Sequence, residues 1–331
     1  MGITLFEPAN GEVVKQLTQK QIDFIRDITG PKVEEFDWAN LKQKKDEYSL
    51  PLPVVFCWEA DKKAQLVLSS DANFTEAVTY EAEGRVEVYN LLIGQAYYWY
   101  VQTEDEKSEA RTFTMDSMAP RLIMAGGLSN VRDIGGKTTM EGKQIRQGLV
   151  YRGCEMEFHH IITEDGIDVL ANQLKIRTDL DIRFEAVDKV FQSALGPQVN
   201  FELIPCKPYA EFIEDKEIAG KIFRLFTQEE KYPFYIHCWG GADRTGTIIL
   251  ILCGILGMDD QALFEDYEFT SLSIWGNRSR KSELFMTLLT ALDQYPGANL
   301  SEKSRAFLLD CGLTEEEIER IRSILLQESG C

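Results

Sequence analysis

The stretch Tyr235-Ile-His-Cys-Trp-Gly-Gly-Ala-Asp-Arg-Thr-Gly246 constrains this chain more than any other. An apolar run ends at His237, two glycines follow, and a second, longer apolar run occupies Thr245 to Leu256. That order reads as a strand, a tight loop and a buried helix. A loop entering a helix in this way turns the backbone N–H groups of Trp239, Gly240, Gly241, Ala242, Asp243 and Arg244 toward one centre. The helix N-terminus adds partial positive charge there. Such a cup binds the oxygens of a dianionic phosphate, and Arg244 closes it as a bidentate clamp. Cys238 stands at the floor, where the same field favours a thiolate, the form of sulfur that attacks phosphorus. Thr245 is placed to donate a hydrogen bond to that sulfur when it departs. Gly240, Gly241 and Gly246 suit positions where a Cβ would crowd the phosphate or strain the turn.

A chain of 331 residues is long for one domain and suits two. Residues 1–49 are polar and read as a helical or irregular lead segment, with Leu17, Ile22, Phe24, Ile25 and Ile28 as its apolar positions. Between residues 50 and 117 the runs Pro53–Trp58, Ala64–Ser69, Arg85–Tyr89, Tyr97–Val101 and Ala110–Met115 are short, β-rich and separated by turn residues. That spacing predicts an all-β sandwich. Leu92 to Val101 resembles the fibronectin type III pattern around its tyrosine corner, with Tyr97 at the corner and Trp99 and Val101 facing the core. Ile93 stands where that family carries proline. From residue 118 to 331 strand-like and helix-like runs alternate, which predicts an α/β domain with a mostly parallel central sheet flanked by helices. Thr314 to Glu317 is a capping box ahead of a last helix.

The loop H-C-x-x-G-x-D-R-T-G resembles that of the atypical bacterial tyrosine and lipid phosphatases, the mycobacterial tyrosine phosphatase B group. Three further stretches are similar to that family: Asn130-Val-Arg-Asp-Ile-Gly-Gly136, Gly148-Leu-Val-Tyr-Arg-Gly153, and Asp179-Leu-Asp-Ile-Arg183 with Glu185. The likeness covers residues 121–327. It implies a cysteine-phosphatase fold and hydrolysis of phosphomonoesters, protein phosphotyrosine first, through a cysteinyl-phosphate intermediate. Two positions depart from the pattern. Ala242 stands where a lysine is common, which removes one cation beside the phosphate, and Gly153 replaces the usual serine.

A phosphate monoester needs its leaving oxygen protonated. The resemblance gives that role to Asp243, with Glu211, Glu214 and Asp215 as upstream competitors. His237 is expected to orient the loop and tune the nucleophile. Arg132, Asp133, Arg152, Asp181 and Arg183 lie beside predicted strand ends and read as scaffolding around the cup. His159 and His160 read as ordinary surface or helix-start residues.

Composition narrows the alternatives. A formal net charge of −19, without a dense basic stretch, removes the electrostatic footprint of a nucleic-acid binder. Seven scattered cysteines without a CxxC pair read as free thiols, and the three histidines lack metal-ligand spacing, so no metal or cofactor is expected. No membrane span and no signal peptide are visible. The chain as given reads as cytoplasmic, or as secreted if a leader has been trimmed. Expected partners are a phosphorylated protein or a small phosphomonoester. The competing readings are an inositol phosphate or phosphoinositide phosphatase with the same mechanism, and a non-catalytic phosphate-binding or adhesive protein.

Overall fold

The computed structural model describes residues 2–26 and 46–328. The chain divides into two compact units, residues 1–18 with 51–123 and residues 19–50 with 124–331.

In the first unit, β1 (Thr4–Glu7), β3 (Val54–Glu59) and β6 (Arg85–Val88) form one sheet in the order β1-β3-β6. The other sheet has the order β2-β8-β7-β4-β5, from β2 (Glu12–Val14), β4 (Ala64–Ser69), β5 (Ala77–Ala82), β7 (Ala96–Gln102) and β8 (Arg111–Met115). Strand β7 alternates strictly, with Tyr97, Trp99 and Val101 buried and their neighbours half-buried. The two sheets share one core, in which Phe56 of β3 packs edge-on against Trp99 and Phe113 at 5.1 and 5.7 Å. Each such aromatic pair contributes about 0.5–1.5 kcal/mol beyond its buried area.

The pairing is mixed, because β2 runs parallel to β8. One expectation needs correction: the first residues are more than a lead segment, since β1 and β2 are edge strands of the two sheets. Their residues are exposed or half-buried, so they carry no hydrophobic alternation by which a strand is recognised. Strand β5, likewise exposed or half-buried, carries no such alternation either.

The second unit opens with α1 (Gln19–Arg26) and is built on the sheet β13-β12-β14-β11-β9. Its strands are β9 (Arg132–Asp133), β11 (Val150–Gly153), β12 (Thr178–Asp181), β13 (Asn200–Leu203) and β14 (Phe234–His237). Three pairings are parallel and only β9 runs against its neighbour. A small antiparallel pair, β10 (Gln144–Ile145) with β15 (Leu326–Gln327), lies apart from it. The helices are α2 (Glu164–Ile167), α3 (Ala210–Glu214), α4 (Lys216–Leu225), α5 (Asp243–Ile255), α6 (Asp260–Phe269), α7 (Glu283–Leu292), α8 (Leu300–Asp310) and α9 (Glu315–Leu325).

Strand β14 is buried throughout, and α5 is buried at every residue from Thr245 to Ile255. A helix apolar on all sides belongs inside a core. Burying each of its Ile and Leu side chains contributes about 1.5–3 kcal/mol. In the register of the sheet, Gly153 of β11 and Asp181 of β12 both stand opposite His237 of β14. Three parallel strands therefore end at one level, and the loop from β14 to α5 leaves from the middle one. The carboxyl ends of parallel strands are where α/β folds place their ligands. No described helix is long and apolar enough to cross a membrane.

Candidate active site

The loop from Cys238 to Ala242 is shaped by its carbonyl groups. The Trp239 oxygen accepts from the Glu155 N–H at 2.9 Å, and the Gly240 oxygen from Asn130 Nδ2 at 2.9 Å. The Gly241 oxygen accepts from Arg152 Nη2 at 2.5 Å, and the Ala242 oxygen from the Gly246 N–H at 2.8 Å. In a trans peptide C=O and N–H point opposite ways. Three consecutive carbonyls held from outside, with the fourth taken up in the first hydrogen bond of α5, thus aim the N–H groups of Gly240 through Asp243 into the loop. Gly241 has φ +64° and a Cβ there would fall 2.2 Å from the Gly153 carbonyl oxygen, so only glycine completes the turn.

The helix beyond is left open. Helices α4, α6, α7, α8 and α9 are each capped by a side chain, from Asp215, Asp259, Ser282, Asn299 and Thr314. At α5 the capping position is Ala242, whose side chain has no acceptor to offer. The first N–H groups of that helix remain available to an anion.

Cys238 is buried at the start of the loop. Thr245, one residue past Arg244, is buried, and its hydroxyl has no protein partner among the described residues. His237 is also buried, with Nε2 2.8 Å from an Asp179 carboxylate oxygen. Burial pushes this imidazole toward neutrality, but the charges of Asp179 and Asp181 prevail and raise it to about 9. Arg244 reaches Glu185, with Nη1 2.9 Å from Oε2.

The polar residues at the strand ends sort into separate groups. Arg132 and Arg152 converge on Asp266 of α6, which also binds Lys137 at 2.7 Å. Burial pushes the Asp266 carboxyl up, but these three cations hold it well below the usual carboxylate range. Arg152 thereby links α6 to the Gly241 carbonyl. Arg183 forks onto Asp181 and also pairs with Glu155 and Glu157 at 2.5 and 2.8 Å. Asp133 lies further off in its contacts, accepting from the N–H groups of Gly135 and Gly148 at 2.8 and 2.6 Å.

Asp243 is the first residue of α5, and its carboxylate meets Arg278 in a two-point pair, Nε to Oδ1 at 2.7 Å and Nη2 to Oδ2 at 2.8 Å. The Tyr209 hydroxyl donates to Oδ1 as well. Burial pushes the Asp243 carboxyl up, but the Arg278 charge and hydrogen bonds, with those of Tyr209, outweigh it and hold it below its ordinary value. Of the competing acids, Glu211 pairs with Lys207 at 2.6 Å on an exposed face. Glu214 ends α3, and Asp215 is spent as the cap of α4, accepting from Ile218.

His159 is exposed, as a surface residue should be, whereas His160 is buried, and both lie beside indole rings. The His159 ring lies 4.4 Å from that of Trp239, and Trp275 Nε1 donates to His160 at 2.8 Å. Glu185 and Asn130 stand in motifs legible in the sequence, but the parts that they, Asp266, Tyr209 and Arg278 take around the loop emerge only from the structure. Among the described residues no cluster of His, Cys, Asp or Glu is arranged to hold a metal ion.

Residues 123–327 match the model of a family described as the tyrosine phosphatase family. No curated protein matches the chain. Among solved structures, the core catalytic domain of the PP-IP phosphatase SIW14 from S. cerevisiae, crystallised with citrate, is similar at 16% identity and TM-score 0.33. That match covers 61% of this chain and 93% of the other. P. aeruginosa TpbA is similar at 17% identity and TM-score 0.28, covering 45% and 89%. OH1 from the Orf virus, a tyrosine phosphatase described as having triple substrate specificity, is similar at 12% identity and TM-score 0.21, covering 58% and 90%.

Proposed function

This chain belongs to the tyrosine phosphatase family and is a cysteine-dependent phosphatase; from that premise we propose that it hydrolyses phosphotyrosine-like monoesters through a cysteinyl-phosphate intermediate on Cys238. In this reading the phosphate sits on the N–H groups of Trp239 to Arg244, and Arg244 exchanges its Glu185 partner for two phosphate oxygens. Thr245 steadies the departing sulfur and His237, held by Asp179, fixes the strand end behind it. Arg132, Arg152, Asp181 and Arg183 hold the surroundings in shape, and Asp133 ties a neighbouring turn. Asp243 is the carboxylate assigned to proton handling.

The observation that carries this reading is the set of three outward-held carbonyls after Cys238, continued by the first hydrogen bond of α5, which preorganises an anion cup before any anion arrives. A monoester is favoured over inositol polyphosphates because the cations near the loop are already neutralised. Arg152 pairs with Asp266, Arg183 with Asp181, Glu155 and Glu157, and Arg278 with Asp243, while Ala242 adds no charge. The test is turnover of phosphotyrosine peptide, phosphoserine peptide and inositol hexakisphosphate by the purified chain. Phosphotyrosine should lead, and a preference for the inositol phosphate would replace this substrate class by that one.

For the first unit, we read residues 50–117 as a fibronectin III-like module ahead of a catalytic domain spanning 118–331. Support comes from the Tyr97 hydroxyl, which accepts from the Leu92 N–H at 2.9 Å, five residues upstream, beside the buried Trp99. The likeness to the mycobacterial tyrosine phosphatase B group is a proposal of the same standing, resting on the loop and its three companion motifs.

A further inference from the structure

The carboxyl ends of β11 and β12 stand level with His237, and the chain leaving each of them exposes large apolar side chains. After β11 these are Phe158 and Ile161. After β12 they are Phe184, Val187 and Phe191, the last with 80% of its surface open. Contacts join the two segments to each other and to both ends of the phosphate loop. The Trp239 ring, at the start of that loop, lies 4.4 Å from the ring of His159, the neighbour of Phe158. The Arg183 guanidinium lies 5.1 Å from the Phe158 ring. Phe184 follows Arg183 and opens a single 3-10 turn with Glu185, whose carboxylate reaches the Arg244 clamp at 2.9 Å. These contacts form an arc that begins at Trp239 and ends at Arg244.

The arc is held from below. Arg183 is buried and divided among Asp181, Glu155 and Glu157, so it anchors both segments without offering its charge outward. The Val187 N–H donates to the Phe184 carbonyl at 3.1 Å and the Val190 N–H to the Ala186 carbonyl at 2.9 Å, which keeps Phe184 and Val187 beside Glu185. Single exposed apolar side chains are ordinary, but a group of them along one edge of a site is a contact surface. What covers it arrives with the phosphate, because the edge adjoins the clamp that the phosphate must reach. An anionic membrane fits poorly: residues 184–191 carry Glu185 and Asp188 against Lys189, and the chain carries a net −19.

We propose that this rim selects phosphotyrosine segments whose neighbouring residues are apolar, with Phe184 and Phe191 as the principal specificity-determining side chains. The proposal rests on the reading of Cys238 as the nucleophile toward phosphotyrosine and adds the chemistry of the peptide around it. Apolar contact at the rim is made in the bound substrate and in the transition state alike, so it should act on KM more than on kcat.

The test measures kcat/KM for a pair of phosphotyrosine peptides of equal length and charge. One carries Leu and Val on either side of the phosphotyrosine, the other Ser and Asn. p-Nitrophenyl phosphate, which has no flanking residues, is the control. Wild type should favour the apolar peptide about tenfold or more, chiefly through KM. Phe184→Ser combined with Phe191→Ser should narrow that preference about fivefold or more and leave p-nitrophenyl phosphate turnover unchanged. Both side chains are exposed, so the exchange removes nothing from the core, and a native melting profile checks this. Equal rates on the two peptides in wild type would overturn the proposal, as would an unchanged preference in the folded variant. Equal rates together with Phe191-dependent sedimentation on phosphatidylcholine vesicles would give the rim to a lipid surface instead. Failure of the underlying reading looks different: neither peptide would turn over, or turnover would survive Cys238→Ser, and the rim proposal would fall with it.

Discussion

Gly153 and Gly241 meet backbone to backbone, so closely that a Cβ on Gly241 would lie 2.2 Å from the carbonyl oxygen of Gly153. The contact joins the end of β11 to the turn of the loop. It is closed from the other side too, because a Cβ on Gly153 would lie 2.2 Å from the Tyr235 hydroxyl oxygen, which donates to the Cys154 carbonyl at 2.7 Å.

Gly153→Ser, the residue usual in the resembled family, should therefore destabilise this chain by about 1–3 kcal/mol, the range for overpacking a filled site. Adding Tyr235→Phe should return part of that loss, since the nearest clashing atom is removed while the ring carbon at 2.9 Å remains. Denaturant unfolding of both single variants and the double variant measures the coupling. Strict additivity would show that the clash is relieved by movement elsewhere.

Cys238→Ser should abolish turnover and keep vanadate binding, because the outward-held carbonyls that form the cup do not depend on sulfur. Retention of more than about a tenth of the wild-type rate would remove Cys238 from the role of nucleophile. Arg244→Ala should cost on the order of a hundredfold or more in kcat/KM, with both kcat and KM affected.

The His237–Asp179 pair predicts a pH dependence of stability. The folded imidazole is raised to about 9 from its ordinary value near 6.5. Its contribution is fully present below pH ~6.5 and is lost as pH rises through about 9. In Asp179→Asn the hydrogen bond and the larger of the two charges are gone while Asp181 remains, so that loss should shrink. Unfolding free energies measured across this window should diverge between the two proteins; parallel curves would contradict the pair.

Asp266→Asn should be more damaging than its distance in sequence from the loop implies. Three cations would lose their common carboxylate, and breaking a buried pair from one side costs about 3–5 kcal/mol. Because the wild-type carboxyl is held far below its ordinary value, its contribution is present at neutral pH and is lost only as pH falls through that low value. Acid unfolding should thus be less cooperative in the variant. With Arg152 released, kcat/KM should fall by a similar factor on all esters; an effect confined to poor leaving groups would give Asp266 a part in the chemistry.

What the sequence makes legible is local. The cup is a strand, a glycine-bearing turn and a helix start within twelve consecutive positions, Tyr235 to Gly246, so residue types and their order dictate it. The alternation of Tyr97, Trp99 and Val101 is legible for the same reason. Arg278 is not, because its partner Asp243 lies 35 residues away and no periodicity or motif joins them. Asp266 sits on a helix whose sequence gives no sign that it faces three cations. Strands β1 and β2 are invisible because edge strands with exposed faces need no apolar pattern.

The Glu185–Arg244 pair has a consequence for how the cup fills. Arg244 does not wait as a bare cation, since Glu185, partly open to solvent, occupies it at 2.9 Å. If Arg244 clamps phosphate as proposed, an arriving phosphate must evict an anion already in residence, so occupancy is an ion exchange and affinity is the difference between two pairings. Replacing Glu185 by glutamine weakens the incumbent without touching the cup. Inorganic phosphate should then inhibit more strongly, and substrate KM should fall with it. On that proposal the native carboxylate sets a threshold that keeps the site from being held by its own product.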